Sequence, residues 1–240
     1  MQENNEDVFL KEQLNHYSID MNETERYLLL EHLHLVIEKN KSINLTRIDG
    51  IEDGIAFHII DSLTCLPEFN NAPQGPFCDM GTGAGYPGIP LGVVSGRNGT
   101  LVDSVKKKAL CVEEFINELG ISNQFEIEGV RAEELAIRRK GSFAVVVARA
   151  LSSLPSLVEL ASPLLMRGGV LISLKGKPED RELYDGDLVA DKTGMERLSR
   201  RDFCMGNEDV SRCIITYKKV GSPKVKLPRR PGMAQRNPLV

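Results

Sequence analysis

The residues best suited to do chemistry lie in one short stretch, residues 77–88. An acidic residue, Asp79, ends an apolar run and is followed at once by glycines at alternate positions, Gly81, Gly83 and Gly85. Glycine adopts positive φ and has no Cβ, so the backbone of such a loop can press against a ligand. A helix that begins behind the loop adds unpaired N–H groups and a partial positive charge. The stretch therefore predicts a site for a nucleotide-like ligand.

A second acid, Asp103, closes the next predicted strand, where a carboxylate can accept hydrogen bonds from the hydroxyls of a ribose. The series Gly83-x-Gly85-x-x-Gly88 also matches the dinucleotide fingerprint, which makes NAD the rival ligand. NAD would place a pyrophosphate at the helix start, and Asp79 would repel it. The two acids favour a ligand with a cationic head and no phosphate, which is S-adenosylmethionine. A plain tight turn explains these glycines and strand-end acids less well.

Two further segments fall where predicted strands end. Val130–Glu134 follows the third predicted strand, where a loop could close over an adenine. Arg149 follows the apolar run 143–148, which is the fourth predicted strand. Because ligands of open α/β sheets lie outside the carboxyl ends of the strands, a functional role for Arg149 is favoured over a simple pairing with a surface acid.

These segments need a sheet to bring them together, and the second part of the chain has the pattern of one. Strand-like and helix-like segments alternate there, which predicts a parallel sheet covered by helices on both faces. The predicted strands are 76–80, 99–103, 124–128, 143–148, 169–174 and 212–219, and the predicted helices are 87–95, 105–119, 130–138, 154–166 and 178–189. The polar, irregular segment 191–204 precedes another apolar run and could belong to an antiparallel insertion at the sheet edge.

Residues 6–70 follow a helical pattern instead. Asn22 and Glu25 have the spacing of a capping box before a dense apolar run. A further helix is predicted over 54–66, with Pro67 as its stop. A turn-rich stretch then separates this region from the alternating part. The predicted domains are an N-terminal helical region 1–70, a sheet domain 71–220 and a basic C-terminal tail 221–240.

The composition is ordinary for a globular protein, with 41% hydrophobic and 27% charged residues. The apolar runs are short for a membrane span, the acidic start is unlike a secretory signal, and the five cysteines form no C-x-x-C pair, so a cytoplasmic protein with reduced thiols is expected. The net charge is −4, yet no acidic residue follows Ser211. The basic tail is either a strip that contacts phosphates or a solvated, frayed end, and composition leaves both open.

Several motifs occur in one order along the chain: Asn44-Leu45-Thr46-Arg47, residues 58–62, residues 79–91, residues 101–104, residues 131–134, Ala148-Arg149-Ala150 and Leu174-Lys175-Gly176. In this order they resemble the RsmG (GidB) family, the bacterial 16S ribosomal RNA guanine-N7 methyltransferases. The resemblance extends over residues 20–220, and the tail resembles the PRxxG and PL ending of many members. Tyr86 and Ala132 stand where Leu and Val are common, and Ala84 stands where Pro is common.

The resemblance implies an α/β, Rossmann-like class I methyltransferase, with a mostly parallel seven-stranded sheet, helices on both faces and an N-terminal helical region. It implies transfer of a methyl group from S-adenosylmethionine to N7 of one guanine, with 16S ribosomal RNA or the small-subunit particle as the partner. We expect no membrane contact, no metal and a monomer.

Site residues follow from the loop and from the resemblance. The expected cofactor-binding residues are Asp79, Gly81, Thr82, Gly83, Gly85, Tyr86, Asp103, Ala132, Glu133 and Arg149. The candidates for contacts with RNA phosphates are Arg47, Arg131, Lys175, Arg229 and Arg230. Guanine N7 has a lone pair and no proton to lose, so alignment is expected to provide the catalysis without a general base. Arg149 is expected to bind the cofactor or the RNA backbone and not to act as a chemical catalyst.

Two pairs of side chains invite another interpretation. His58 and Asp61, three residues apart on a helix, resemble an acid–base pair, but a structural role is favoured. His32 and His34 do not share a helix face, so no metal is assigned to them. Two other functions stay open at this point, namely a small-molecule methyltransferase of the same fold and a noncatalytic RNA-binding protein with a vestigial cofactor pocket.

Overall fold

A seven-stranded sheet runs through the protein in the order β3-β2-β1-β4-β5-β7-β6. The computed structural model describes residues 5–206 and 210–240. The neighbouring strands β1 to β5 pair in parallel, whereas β7 is antiparallel to both β5 and β6. The strands are β1 (Phe77–Met80), β2 (Gly99–Val102), β3 (Phe125–Glu128), β4 (Phe143–Arg149), β5 (Leu165–Lys175), β6 (Met195–Met205) and β7 (Val210–Lys219). The predicted α/β fold with a mostly parallel sheet is confirmed.

Helices connect these strands and also precede them. Before the sheet come α1 (Asn5–His16), α2 (Glu23–Asn40), α3 (Ile51–Gly54), a π-helical segment (Ile55–Ile60), α4 (Asp61–Leu63) and α5 (Leu66–Asn71). Between and after the strands come α6 (Gly88–Ser95), α7 (Lys106–Glu118), α8 (Ala132–Arg138), α9 (Leu154–Ala161), α10 (Asp180–Thr193) and α11 (Met233–Arg236). The described residues contain no helix that is long and apolar enough to cross a membrane.

The start of α2 is as predicted, whereas the helical stretch predicted over 54–66 begins at Ile51 and ends at Leu63. The capping box is confirmed, because Glu25 N donates to Asn22 Oδ1 at 3.0 Å and Asn22 N donates to Glu25 Oε2 at 2.8 Å. Pro67 as a helix stop is wrong, since it lies in the first turn of α5. A proline has no N–H to lose in a first turn, so it starts this helix instead of ending the previous one.

The helical region and the sheet share one hydrophobic core. Buried Leu33 and Ile59 from the helices belong to the same cluster as Phe77 and Val145 from the sheet. The domain boundary at residue 70 therefore stays a prediction, and residues 1–4 and 207–209 of the predicted domains lie outside the described residues.

The antiparallel insertion expected at the sheet edge is confirmed, but it is more regular than predicted. The segment 191–204, predicted as irregular, contains most of β6, which pairs along its length with β7. Its side chains are mostly exposed, so its apolar pattern is weak, and the backbone ladder with β7 holds it in place. The predicted helix 154–166 is also too long, because α9 ends at Ala161 and β5 begins four residues later, at Leu165.

The basic tail is packed and not frayed. Ala234 is 1% exposed and lies in the hydrophobic cluster on the α9 side of the sheet. Lys192 Nζ of α10 donates to Leu239 O at 2.8 Å, and Ser156 Oγ of α9 donates to Ala234 O at 2.8 Å. The solvated alternative for residues 221–240 is therefore wrong over this part of the tail.

Candidate functional site

A cavity of about 460 Å³, the first cavity, opens outside the carboxyl ends of β1, β2 and β4. The chain order reverses there, since β1 lies between β2 and β4, and ligands of open α/β sheets bind at such a switch point. Its volume is within the range of pockets for small organic ligands. Of the predicted cofactor-binding residues, those that line it are Gly81, Thr82, Gly83, Tyr86, Asp103, Ala132, Glu133 and Arg149.

The glycine loop forms one wall of the first cavity with its backbone. Gly81 and Gly83 have φ of +84° and +61°, which only glycine adopts readily. A Cβ added at Gly83 would meet no protein atom within 4 Å, so this part of the wall is open to a ligand. Gly85 faces the interior, where an added Cβ would lie 2.6 Å from Ile89 Cδ1, and it does not line the cavity. The predicted direct contact of Gly85 with a ligand is therefore replaced by close packing under the loop.

Asp79 also lies beneath the loop instead of in the cavity. Its side chain is fully buried, and its Oδ2 accepts a hydrogen bond of 2.8 Å from Gly88 N at the start of α6. Burial raises the pKa of this carboxyl to about 6, and the Thr82 hydroxyl and the Gly88 amide oppose that shift. The expected direct contact with an ammonium group is corrected: Asp79 ties the two ends of the loop together and acts on a ligand only through that loop.

Asp103 is the acid that does reach the first cavity. Its Oδ2 accepts from Gly83 N at 3.1 Å, and its Oδ1 accepts from Val105 N at 2.8 Å. These bonds fix the carboxylate at the end of β2 while each oxygen keeps a further lone pair. Hydroxyl groups of a ribose could donate to those positions, which agrees with the role expected for this residue.

An aromatic stack supports the loop from the helical region. The Tyr86 ring stacks on His58 with 4.5 Å between centroids and an interplanar angle of 8°, and it packs against His32 at 4.5 Å. His32 Nε2 lies 2.9 Å from Ala84 O, to which a neutral ring donates. Burial lowers the pKa of His32 to about 4, and burial together with Arg149 lowers that of His58 to about 3. Both rings are thus uncharged at neutral pH and serve packing.

His58 and Asp61 do not form a pair. His58 Nε2 is 3.0 Å from Thr46 Oγ1, whereas Asp61 contacts two arginines. These contacts agree with the structural role favoured for His58. Its partner is Thr46 and not Asp61, which the helical spacing indicated. The described residues contain no group of three or more side chains placed to hold a metal ion.

Arg149 lies at the carboxyl end of β4, as expected, and is paired with a buried acid. Its Nη1 donates to Asp61 Oδ2 at 3.0 Å and to Phe57 O at 2.9 Å. Asp61, which is 5% exposed, also accepts from Arg212 Nε at 2.7 Å through its Oδ1. Sequence reasoning considered only a surface acid as a partner, and no local signal connects these residues, which are far apart along the chain.

The C-terminal tail also contributes to the first cavity. Gln235 lines the first cavity, and Glu133 Oε1 accepts a hydrogen bond of 2.6 Å from Gly232 N. Arg229 makes a two-bond contact with the buried Glu159, at 2.7 Å to Oε1 and 2.6 Å to Oε2. The predicted contact of Arg229 with RNA phosphates is therefore corrected, because its guanidinium holds the tail on α9.

The other predicted RNA contacts divide into two groups. Lys175 is half-buried, with its Nζ at 2.9 Å from Glu182 Oε1 and donating to Ser152 O at 3.1 Å. These partners occupy its charge, so it is a weaker candidate for a phosphate contact than expected. The remaining candidates are exposed, and they are Arg47, Arg131 and Arg230.

The first cavity fits an adenosyl ligand in shape and chemistry. The open glycine wall leaves room for close backbone contact, and Asp103 presents a fixed carboxylate. Apolar surface for a heterocycle comes from Met80, Val102, Val130, Leu151 and Leu160. The cavity therefore has the three features that such a ligand requires, which are a backbone cradle, a hydroxyl acceptor and an apolar slot.

Comparison with known proteins points in the same direction. Residues 25–209 match the family model described as rRNA small subunit methyltransferase G. The chain is 34% identical over 221 residues to the ribosomal RNA small subunit methyltransferase G of Carboxydothermus hydrogenoformans. This alignment covers 90% of this chain and 93% of that protein. It is 37% identical over 210 residues to the protein of the same name from Deinococcus radiodurans. That alignment covers 86% of this chain and 83% of the relative.

Solved structures are similar in fold alone. The geranyl diphosphate C-methyltransferase of Streptomyces coelicolor, crystallised with S-adenosyl-L-homocysteine, has a TM-score of 0.52 at 12% identity, covering 66% of this chain and 76% of that one. The cyclase SpnF has a TM-score of 0.54 at 16% identity, covering 68% and 82%. Because a cyclase shares this fold, the fold by itself does not determine the reaction.

Proposed function

The chain belongs to the rRNA small subunit methyltransferase G family, and from that premise we propose that it transfers the methyl group of S-adenosylmethionine to N7 of one guanine in 16S ribosomal RNA. One observation carries the proposal: the first cavity, at the switch point of the sheet, has the features that an adenosyl ligand requires. The family membership then selects the acceptor class, which the cavity alone does not.

Distinct parts of the chain would hold the cofactor. The backbone at Gly81 and Gly83 would contact its methionine part, and the Asp103 carboxylate would accept from its ribose hydroxyls. Ala132 and the apolar residues around it would cover the adenine. Asp79 would contribute from below, by holding the loop closed through Gly88 N and by placing negative charge under a cationic ligand.

The chemistry needs little beyond alignment. When bound, the cofactor supplies a methyl group that is open to attack by a lone pair. Guanine N7 has such a lone pair in the plane of the ring and loses no proton, so no residue of this chain has to act as a base. The neutral, buried His32 and His58 agree with this, since each ring packs on Tyr86 and engages its Nε2 in a hydrogen bond. Arg149 would help to position the reactants at the end of β4.

The RNA would approach the open side of the first cavity. Arg131 lines this cavity and is exposed, and Arg47 and Arg230 offer further exposed positive charge. A guanine in folded RNA must leave its stack to reach an enclosed site. We also propose that the protein works as a monomer in the cytoplasm, where small ribosomal subunits are assembled.

Loss of the gene tests the proposed function. Nucleoside mass spectrometry of 16S RNA from a strain without this gene should show the loss of one 7-methylguanosine. The modification should return on expression of the wild-type protein and not on expression of the Gly83→Val variant, whose side chain crowds the cofactor wall. Unchanged 7-methylguanosine in the deletion strain would contradict the proposal. Calorimetry with S-adenosylmethionine separates cofactor binding from recognition of the RNA.

A further inference from the structure

A second cavity, of about 490 Å³, lies beside the first and shares the wall residues His58, Arg149 and Ala150 with it. Ala150 follows β4 with a φ of +53°, a left-handed conformation that a residue with a Cβ adopts at a cost of about 1 kcal/mol or more. Strained backbone of this kind is concentrated at functional positions. The second cavity therefore adjoins the predicted cofactor site through a wall that the fold holds under strain.

The polar side of the second cavity contains a cluster of three charged side chains, in which the Asp61 carboxylate lies between Arg149 and Arg212. Asp61 accepts from Arg149 through Oδ2 and from Arg212 through Oδ1, at 3.0 and 2.7 Å. Arg149 is itself held by Phe57 O, so the carboxylate cannot readily reorient. An ionised carboxylate has about four acceptor positions, and the two arginines occupy one position on each oxygen. Asp61 can therefore accept two further hydrogen bonds from a ligand in this cavity.

The rest of the wall suits a flat heterocycle. Ile48, Phe57 and Leu174 contribute apolar surface, and Gly176 leaves part of the wall without a side chain. The lining also carries the charges of Lys175 and of the Asp61 cluster. A flat base against apolar groups, with fixed polar groups at its edge, is the usual arrangement in pockets that bind an extruded nucleobase. The carboxylate accepts hydrogen bonds only, so the ligand edge that it recognises must consist of donors.

We propose that the second cavity receives the extruded guanine of the RNA and that Asp61 recognises its N1–H and its 2-amino group. This inference rests on the proposed function and identifies a specificity-determining residue for it. Guanine has two adjacent donors on that edge, whereas adenine has an acceptor at N1, which a carboxylate disfavours. N7 lies on the other edge of the purine, so a base held in this way keeps its N7 lone pair unbonded, as methylation requires.

Inosine separates recognition from a merely structural role, because it keeps N1–H, O6 and N7 but lacks the 2-amino group. We would measure kcat/KM for wild type and Asp61→Asn on small subunits reconstituted with guanosine or inosine at the methylated position. Wild type should lose about tenfold on inosine, the effect expected for one hydrogen bond to a charged group. On guanosine, the kcat/KM of Asp61→Asn should be about tenfold or more below that of wild type. The kcat/KM values of this variant for guanosine and inosine should differ less than threefold. Equal losses of the variant on both bases would overturn the proposal.

Asp202→Asn is the matched control, since Asp202 also pairs with an arginine, Arg200, but lies on exposed β6 outside both cavities. This variant should keep the tenfold preference for guanosine. Asp61 also holds Arg149, which lines the first cavity, so calorimetry with S-adenosylmethionine measures any loss of cofactor affinity in Asp61→Asn. Such a loss lowers kcat/KM on both bases alike and leaves the comparison of guanosine with inosine intact. A wild-type protein that methylates no guanosine substrate would refute the proposed function itself, which is a different outcome from equal losses on the two bases.

A filled cavity gives a second test if Asp61→Asn does not fold. A Cβ at Gly176 meets only Ser211 O, at 4.0 Å, so Gly176→Trp can occupy the second cavity without touching the first. It should lower methylation more than 100-fold with unchanged cofactor affinity. Gly221→Trp, at a position where an added Cβ meets nothing within 4 Å, is the control and should keep full activity. Full activity of Gly176→Trp would overturn the proposal.

Discussion

The glycine loop, residues 79–88, and the C-terminal tail, residues 221–240, border the same cavity, but only the loop also closes on itself. The loop closes on itself through the bond from Gly88 N to Asp79 Oδ2, across nine positions, and it is also supported by Asp103 and by His32, which are 20 and 52 positions away. The tail is held by residues that are 70 and 99 positions away, through Glu159 and Glu133. Contacts between residues close along the chain can be predicted from the sequence, whereas contacts between distant residues cannot.

Among the predicted effects, the largest is expected on stability when Arg229, which holds the tail, is replaced. Arg229→Met leaves Glu159, which is 3% exposed, as a buried charge without its partner, and this should lower the free energy of unfolding by about 3–5 kcal/mol. Urea denaturation measures the change. The double variant Arg229→Met with Glu159→Leu should recover most of the loss, because no buried charge remains. A loss below about 1 kcal/mol in the single variant would mean that the tail is not held by this pair.

Two glycine substitutions should distinguish support of the loop from contact with the ligand. Gly88→Ala places a Cβ 2.3 Å from Leu101 Cδ2 and 2.6 Å from Asp79 Oδ2, so we expect a loss of about 1–3 kcal/mol in unfolding free energy and of cofactor binding with it. Gly83→Ala meets no protein atom and should lose about 1 kcal/mol through its positive φ, while cofactor binding falls at least tenfold. Urea denaturation and calorimetry test both variants, and unchanged cofactor affinity in Gly83→Ala would contradict the assignment of this glycine to the ligand wall.

The pH dependence of stability tests the support that His32 of α2 gives to the glycine loop. The folded-state pKa of His32 is about 4, below the ordinary 6.5, so between these pH values the unfolded chain takes up a proton that the folded protein excludes. Stability from this group is present above pH 6.5 and falls by about 1 kcal/mol per pH unit as the pH drops towards 4. His32→Gln should therefore show a shallower loss than wild type in urea denaturation from pH 6.5 to 4.5. Parallel curves would show that the ring does not stay neutral.

The smallest effect is expected at the tip of the tail. Gln235→Ala should weaken the binding of S-adenosylmethionine threefold to tenfold, or about 1 kcal/mol, because Gln235 lines the first cavity. Its exposed side chain supports no packing, so unfolding should be unchanged. Arg236→Ala, on the same short helix but outside the cavity, is the control and should bind like wild type. Calorimetry decides, and identical affinities for both variants would leave the tail without a role in binding.

Local patterns predicted much of the molecule. The capping box of α2, the Asp79–Gly88 closure of the glycine loop and the turn that follows Asp103 involve residues close along the chain, so residue types and spacing carried the information. The predictions that were wrong concern residues whose neighbours in space come from distant parts of the chain. Asp79 was expected to touch a ligand, but the strands on both sides bury it, and Arg229 was expected to meet phosphates, but α9 presents Glu159 to it. β6 was missed because an exposed edge strand needs little apolar pattern.

The sequence by itself determined the α/β alternation, the place of the loop and the family to which the chain belongs. The reason is that backbone conformation, strand periodicity and turn geometry depend mainly on residues a few positions apart. Only the tertiary structure decided that Asp61 lies between Arg149 and Arg212, that two histidines support Tyr86, and that Gln235 of the tail lines the first cavity. Charge pairing and stacking depend on distances in space, and the order of strands in the sheet sets those distances.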